Sequence, residues 1–251
     1  MRRTRFPILT LSLIPVLLAS SACTRSDAER RAQDLKVSRA VSFRSSDGVR
    51  LSGRLFGDGT VGVVLSHMLP ADQTSWWDFA SELADHGYTV LTYDFRGYCP
   101  GGDAGCSGGS KQISAIWQDV LGAIDAVRSA GTTRVALIGA SMGGTASLVA
   151  ASKPGVDVEA VITLSAPTSI EGLVAGTDTL ATVTAAKLFI AGTGDATGSA
   201  DAAQQLFGSS PQPKRLDLVT SNDHGTDLLT GNQSGILRTT ILNYLQEYAA
   251  P

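Results

Sequence analysis

A chain of 251 residues, 43% of them apolar, is long enough for one large single-core domain and too short for two full-sized ones. The formal charge is −3, and lysine and arginine form no run beyond the N-terminus, which excludes the basic footprint of a nucleic-acid partner. No repeat at a fixed period is visible, so solenoids and arrays are excluded as well.

The chain starts with Arg2, Arg3 and Arg5, an apolar run over residues 6–19, and the small residues Ser20, Ser21 and Ala22 before Cys23. These are the three parts of a secretory signal, and the apolar run is too short for a membrane span. The segment resembles a bacterial lipoprotein signal, which implies cleavage after Ala22 and a lipid on Cys23. Ordinary signal-peptidase cleavage near Ala22 is the alternative. The resemblance divides the chain into a signal (1–22), a lipidated tether (23–38) and a body (39–251), placed outside the cytoplasm and anchored to the cell membrane. Loss of the three signal arginines takes the charge from −3 to −6. Residues 24–38 are polar without apolar periodicity, as expected of a tether.

Alternating Val41 and Phe43, a turn at Asp47-Gly48, and apolar Leu51 and Leu55 predict an N-terminal antiparallel hairpin. Continuous apolar runs at 61–65, 88–93, 134–138, 158–164, 187–191 and 215–219 read as strands buried on both faces. Between them, helical spacing is found at 77–84, 113–127, 145–151, 200–207 and 236–248. The alternation predicts an α/β fold: a doubly wound three-layer sandwich on a mostly parallel eight-stranded sheet, with functional loops at the carboxyl ends of the strands. Residues 165–186 leave room for one helix and a loop, hence little or no lid. With Cys23 assigned to lipid, Cys99 and Cys106 remain, and export to an oxidising compartment predicts a disulfide between them.

Gly-x-Ser-x-Gly occurs twice, around Ser107 and around Ser141. The first lies in a Gly-rich loop with no strand before it. The second follows the apolar run 134–138 and precedes a small-residue helix, which is the strand-turn-helix setting of a nucleophile elbow. A serine hydroxyl needs a base, and the chain has three histidines. His86 precedes a strand and so sits at the wrong sheet edge; His67 follows the 61–65 strand, with a structural role the better reading. His224, in the loop after the last strand, is the candidate base. Asp195, in the turn after strand 187–191, is the candidate acid that orients it. Asp201 falls where a helix should have begun, and Asp223 adjoins His224 too closely to fold back.

From about residue 41 onward the chain resembles the α/β-hydrolases. The resemblance rests on Asp94-Phe-Arg96-Gly97-Tyr98 after a strand, Gly139-Ala-Ser141-Met-Gly143-Gly144, and Asp223-His224-Gly225. It implies a serine hydrolase acting on esters or related acyl bonds of a small substrate, with Ser141, His224 and Asp195 as nucleophile, base and acid. It also implies an oxyanion hole from the N–H groups of Met142 and Leu69, although family members commonly have glycine where Met68 stands. Trp76 and Trp77 are candidates to line the acyl pocket, or else core. No metal or organic cofactor is expected, nor a partner beyond the substrate and the membrane, and the protein is expected as a monomer. The alternative is a non-catalytic lipoprotein that keeps the fold as a binding or scaffold module.

Overall fold

The computed structural model describes residues 26–251; the signal segment and Cys23 lie outside the described residues. Each apolar run expected as a strand forms one. In chain order they are β1 (Ser38–Arg44), β2 (Arg50–Phe56), β3 (Val61–Ser66), β4 (Thr89–Tyr93), β5 (Arg134–Ala140) and β6 (Ala160–Leu164). A two-residue pair follows, β7 (Ser169–Ile170) and β8 (Leu173–Val174), and then β9 (Ala186–Gly192) and β10 (Lys214–Val219). The main sheet has eight strands in the order β1-β2-β4-β3-β5-β6-β9-β10. β1 and β2 form the expected antiparallel hairpin, β2 also runs antiparallel to β4, and from β4 to β10 every pairing is parallel.

The main helices are α1 (Asp27–Lys36), α2 (Trp77–Asp85), α3 (Trp117–Ser129), α4 (Met142–Ala151), α5 (Thr177–Ala181), α6 (Ser199–Ser209) and α7 (Ser234–Tyr248). Alternate strand residues feed two separate cores. Val64, Leu91, Leu137, Val161 and Phe189 pack with Val120, Ile124, Leu148 and Leu206 of α3, α4 and α6. Val63, Leu65, Val90, Ile138, Ile162 and Leu188 pack on the other face with Phe79, Leu83, Leu237 and Ile241 of α2 and α7. A sheet buried on both faces cannot alternate polar and apolar residues, which is why its strands are continuous apolar runs.

Two local features differ from the sequence reading, in α1 and in the β6–β9 connection, and for Trp76 and Trp77 the core alternative holds. The stretch expected as a tether carries α1, opened by a capping box in which the Glu29 N–H donates to Ser26 Oγ (3.3 Å) and the Ser26 N–H to Glu29 Oε2 (2.8 Å). This polar helix is held by polar contacts, which hydrophobic periodicity does not register. Ser81 Oγ donates to Asp34 Oδ1 (2.8 Å), and the Arg31 guanidinium lies over the Trp77 ring. Trp76 and Trp77 are buried in the α2 core and lie away from the cavity described below. The β6–β9 connection contains α5 and also the short β7–β8 hairpin, too brief to leave an alternating pattern. It adds no lid domain.

Candidate functional site

The residues that carry candidate chemistry follow the carboxyl ends of β5, β9 and β10. Ser141 joins β5 to α4 with φ 48° and ψ −120°, a conformation that L-residues avoid and that is kept where the surroundings over-determine it. Here they do. The Ser141 N–H donates to the Leu164 carbonyl (2.8 Å), while its own carbonyl accepts from the N–H groups of Gly144 (2.9 Å) and Thr145 (3.2 Å). The turn also requires glycine on both sides, because a Cβ on Gly139 would lie 2.3 Å from the Gly143 carbonyl oxygen. One on Gly143 would lie 2.3 Å from that of Ser66. Sharp turn, short approach and helix start together present the serine hydroxyl to a cavity.

Asp195 and His224 sit on neighbouring loops pinned to each other. The Thr193 N–H donates to Val219 O (2.8 Å) and the Gly194 N–H to Ser221 O (2.9 Å). His224 Nδ1 is 2.6 Å from Asp195 Oδ2. The carboxylate also accepts from Ser199 Oγ on Oδ2 (2.6 Å) and from the Thr197 N–H on Oδ1 (2.9 Å). Burial pushes the Asp195 carboxyl up, but the hydrogen bonds from Ser199, Thr197 and His224 outweigh it and bring the pKa down to about 2. An ionised carboxylate only accepts, so His224 Nδ1 carries the proton of this bond and Nε2 is the ring nitrogen turned away from Asp195. Ser141 and His224 line one cavity of about 250 Å³ with Ser165, Pro167, Ser169, Ile170, Thr197, Ser199 and Ala202. No hydrogen bond joins Ser141 Oγ to the imidazole, although both groups line the same cavity. A cleft of about 330 Å³ between α1 and α2, lined by Asp34, Asp78, Glu82 and Arg238, holds none of these groups.

The other sequence candidates are placed apart. Ser107, in the second Gly-x-Ser-x-Gly, is tied into the scaffold: its hydroxyl donates to Asp94 O (2.6 Å) and accepts from the Ser52 N–H (2.9 Å). His86 is exposed at the end of α2, Asp201 is exposed on α6, and Asp223 bonds Ser221 (2.7 Å). His67 is fully buried; the Phe95 N–H donates to Nε2 (3.1 Å), so Nδ1 bears the proton and donates to Met68 O (2.9 Å). That bond fixes the peptide between Met68 and Leu69, and burial lowers the His67 pKa to about 4, which keeps the ring neutral. Met68 turns its side chain inward. Its sulfur occupies the space that a Cβ on Gly225 would need, 2.4 Å away, and accepts from Thr226 Oγ1 at 3.7 Å. Met142 starts α4, so its N–H has no intrahelical partner, and no backbone carbonyl claims the Leu69 N–H.

Arg96 explains the Asp-x-Arg-Gly segment as scaffold, because its guanidinium spans Asp119 (2.7 Å) and Asp47 (2.7 Å). Cys99 and Cys106 are joined as a disulfide in the loop beyond Arg96. Among the described residues, no group of three or more His, Cys, Asp or Glu side chains could hold a metal ion, and no helix is long and apolar enough to cross a membrane. Thr197 and Ser199 were missed by sequence reasoning. Their signal was present in the turn Asp195-Ala-Thr-Gly-Ser199, whose small polar residues are suited to bonding an Asp side chain locally.

The family model described as "Serine aminopeptidase, S33" matches residues 62–190, from β3 through most of β9. The chain belongs to this α/β-hydrolase family. Among curated proteins it is 24% identical to the uncharacterized protein YfhR of Escherichia coli O157:H7, covering 82% of this chain and 80% of that one. Among solved structures it superposes on the Pyrococcus furiosus esterase Pf2001 with a TM-score of 0.72 at 16% identity, covering 86% of this chain and 93% of the other. The esterase domain of a Rhodothermus marinus protein gives a TM-score of 0.65 at 21% identity, with 84% and 99% covered. At these identities the two structures share the fold, and the family match carries the assignment to the α/β-hydrolases.

Proposed function

We propose that this protein is an exported, lipid-anchored serine esterase that cleaves short acyl esters through Ser141, His224 and Asp195. The observation that carries the reading is the 2.6 Å bond from His224 Nδ1 to a carboxylate held ionised, on the rim of the cavity that contains a strained Ser141. In this mechanism His224 Nε2 takes the Ser141 proton as Oγ attacks the ester carbonyl. Asp195 stabilises the imidazolium, and the N–H groups of Met142 and Leu69 receive the oxyanion. The proton then goes to the leaving alkoxide, and water repeats the sequence to release the acid. Free N–H groups at the start of α4, and the His67 bond that orients the Met68–Leu69 peptide, support the oxyanion assignment.

The family description names an aminopeptidase, and a carboxylate is the strongest partner for a free α-ammonium. Among the described residues lining this cavity there is none, which favours esters over N-terminal peptides. A volume of about 250 Å³ suits a short acyl chain. The Cys23 lipid rests on the signal pattern alone. Hydrolysis of p-nitrophenyl acetate through octanoate by protein beginning after Cys23 tests the esterase reading: turnover should favour the short chains and vanish in Ser141→Ala and His224→Ala. Activity retained in Ser141→Ala would overturn it. For the anchor, the mature N-terminal peptide from membranes should carry a diacylglyceryl mass on Cys23, and a plain N-terminus would reject it.

A further inference from the structure

Ser165 has no part in the proposed triad, yet three independent observations set it apart. It is 1% exposed, and its hydroxyl has no hydrogen-bond partner within the protein. A buried hydroxyl left unpaired is costly, and of the buried unpaired polar side chains among the described residues Ser165 is the one that lines this cavity. Its backbone lies at φ 55°, a second strained non-glycine residue beside Ser141. It also lines the same cavity as Ser141 and His224. The position is fixed from both sides. The preceding carbonyl, Leu164, accepts the Ser141 N–H (2.8 Å), and the Ser165 N–H donates to Ile190 O (2.8 Å).

We infer that Ser165 is a specificity-determining residue that hydrogen-bonds a hydroxyl on the acyl group, so that the preferred substrates are esters of short hydroxy acids. The inference rests on the esterase reading above. The backbone link through Leu164 places Ser165 beside the turn that carries the nucleophile, and both residues line the same cavity. The rest of the wall selects a neutral partner. Among the described residues lining the cavity there is no lysine or arginine to receive a carboxylate and no carboxylate to receive an ammonium. Pro167, Ile170 and Ala202 supply the apolar surface for a short carbon chain. A hydroxyl both donates and accepts, so a substrate hydroxyl can satisfy Ser165 in either sense.

The test compares kcat/KM for p-nitrophenyl 3-hydroxybutyrate, as separate enantiomers, with that for p-nitrophenyl butyrate. Wild type, Ser165→Ala and Ser165→Gly are measured side by side; glycine relieves the backbone strain and covers the case in which alanine fails to fold. Taking the ratio in wild type relative to the variants cancels the intrinsic reactivity of the two esters. The hydroxyacyl-to-acyl ratio should fall by about tenfold or more in both variants, with the preference between enantiomers shrinking alongside it. An unchanged ratio in folded variants that still hydrolyse butyrate would overturn the role of Ser165 and leave the esterase reading intact. A folded wild type that hydrolyses none of these esters and resists a fluorophosphonate would overturn both.

Discussion

Replacing Gly143 by alanine tests whether the approach of the nucleophile helix to the oxyanion loop is needed for activity. The added Cβ would sit 2.3 Å from Ser66 O and 2.6 Å from His67 O, where real Cβ atoms essentially never come under 3.0 Å. Both neighbours are backbone, so no rotamer change relieves the clash, and α4 must move by about 0.7 Å relative to the loop that ends β3. Overpacking of this kind costs about 1–3 kcal/mol of stability. Misplacement of catalytic groups by about 1 Å costs on the order of 100-fold in rate. Gly208→Ala is the matched control: its Cβ meets nothing within 4 Å, and it sits within α6. The assay is kcat/KM on p-nitrophenyl butyrate with a thermal melt of each variant. Gly143→Ala should lose about 100-fold in activity while remaining folded at 25 °C, and Gly208→Ala should match wild type. A folded Gly143→Ala within about twofold of wild type would refute the reasoning, because the loop and elbow would then tolerate a shift on which the proposed oxyanion geometry depends.

Ser107→Ala removes a hydroxyl that bonds Asp94 O and the Ser52 N–H, and should lower unfolding free energy by about 1–3 kcal/mol without abolishing ester turnover; loss of turnover in a folded variant would move the nucleophile to the wrong motif. Two buried groups give stability opposite dependences on pH. His67, lowered by burial to about 4, contributes stability above pH 6.5 that is lost as pH falls towards 4. Asp94, raised by burial to about 7 against the pull of Gln73, contributes the opposite slope, its folded form losing stability as pH rises from about 4 to 7. Asp94→Asn should therefore show a steeper rise of stability between pH 4 and 6.5 than wild type in urea titrations, and parallel profiles would reject the Asp94 assignment. Thiol titration of the folded protein beginning after Cys23 should find no free sulfhydryl, and reduction of the Cys99–Cys106 bond should cost about 2–3 kcal/mol; two free thiols would contradict the pairing.

The sheet was legible because its strands are buried on both faces, so runs such as residues 61–65 and 134–138 stand out against polar punctuation. The strand-turn-helix setting of Ser141 was legible because it follows such a run while Ser107, in the same pattern, does not, and β5 and α4 do flank it. Asp195 and His224 could be placed at one sheet edge by strand order, whereas their 2.6 Å bond depends on how two loops pin each other. Polar anchoring hid α1, whose Asp34 finds its partner, Ser81, 47 residues away and whose Arg31 lies over the distant Trp77. Ser165 was invisible for a different reason: a serine after a strand is ordinary in sequence, and only its left-handed backbone and unpaired hydroxyl mark it. Met68 read as a departure from the family pattern, and its accommodation depends on the missing side chain at Gly225.

The most direct measurement of the central claim is the site of attachment of a fluorophosphonate, read by peptide mass spectrometry on the folded protein beginning after Cys23. A single adduct on the peptide containing Ser141, absent after Asp195→Ala or His224→Ala weakens the base, is the expected result. An adduct on Ser107, or none on a folded protein, would contradict the assignment of Ser141 as an activated nucleophile.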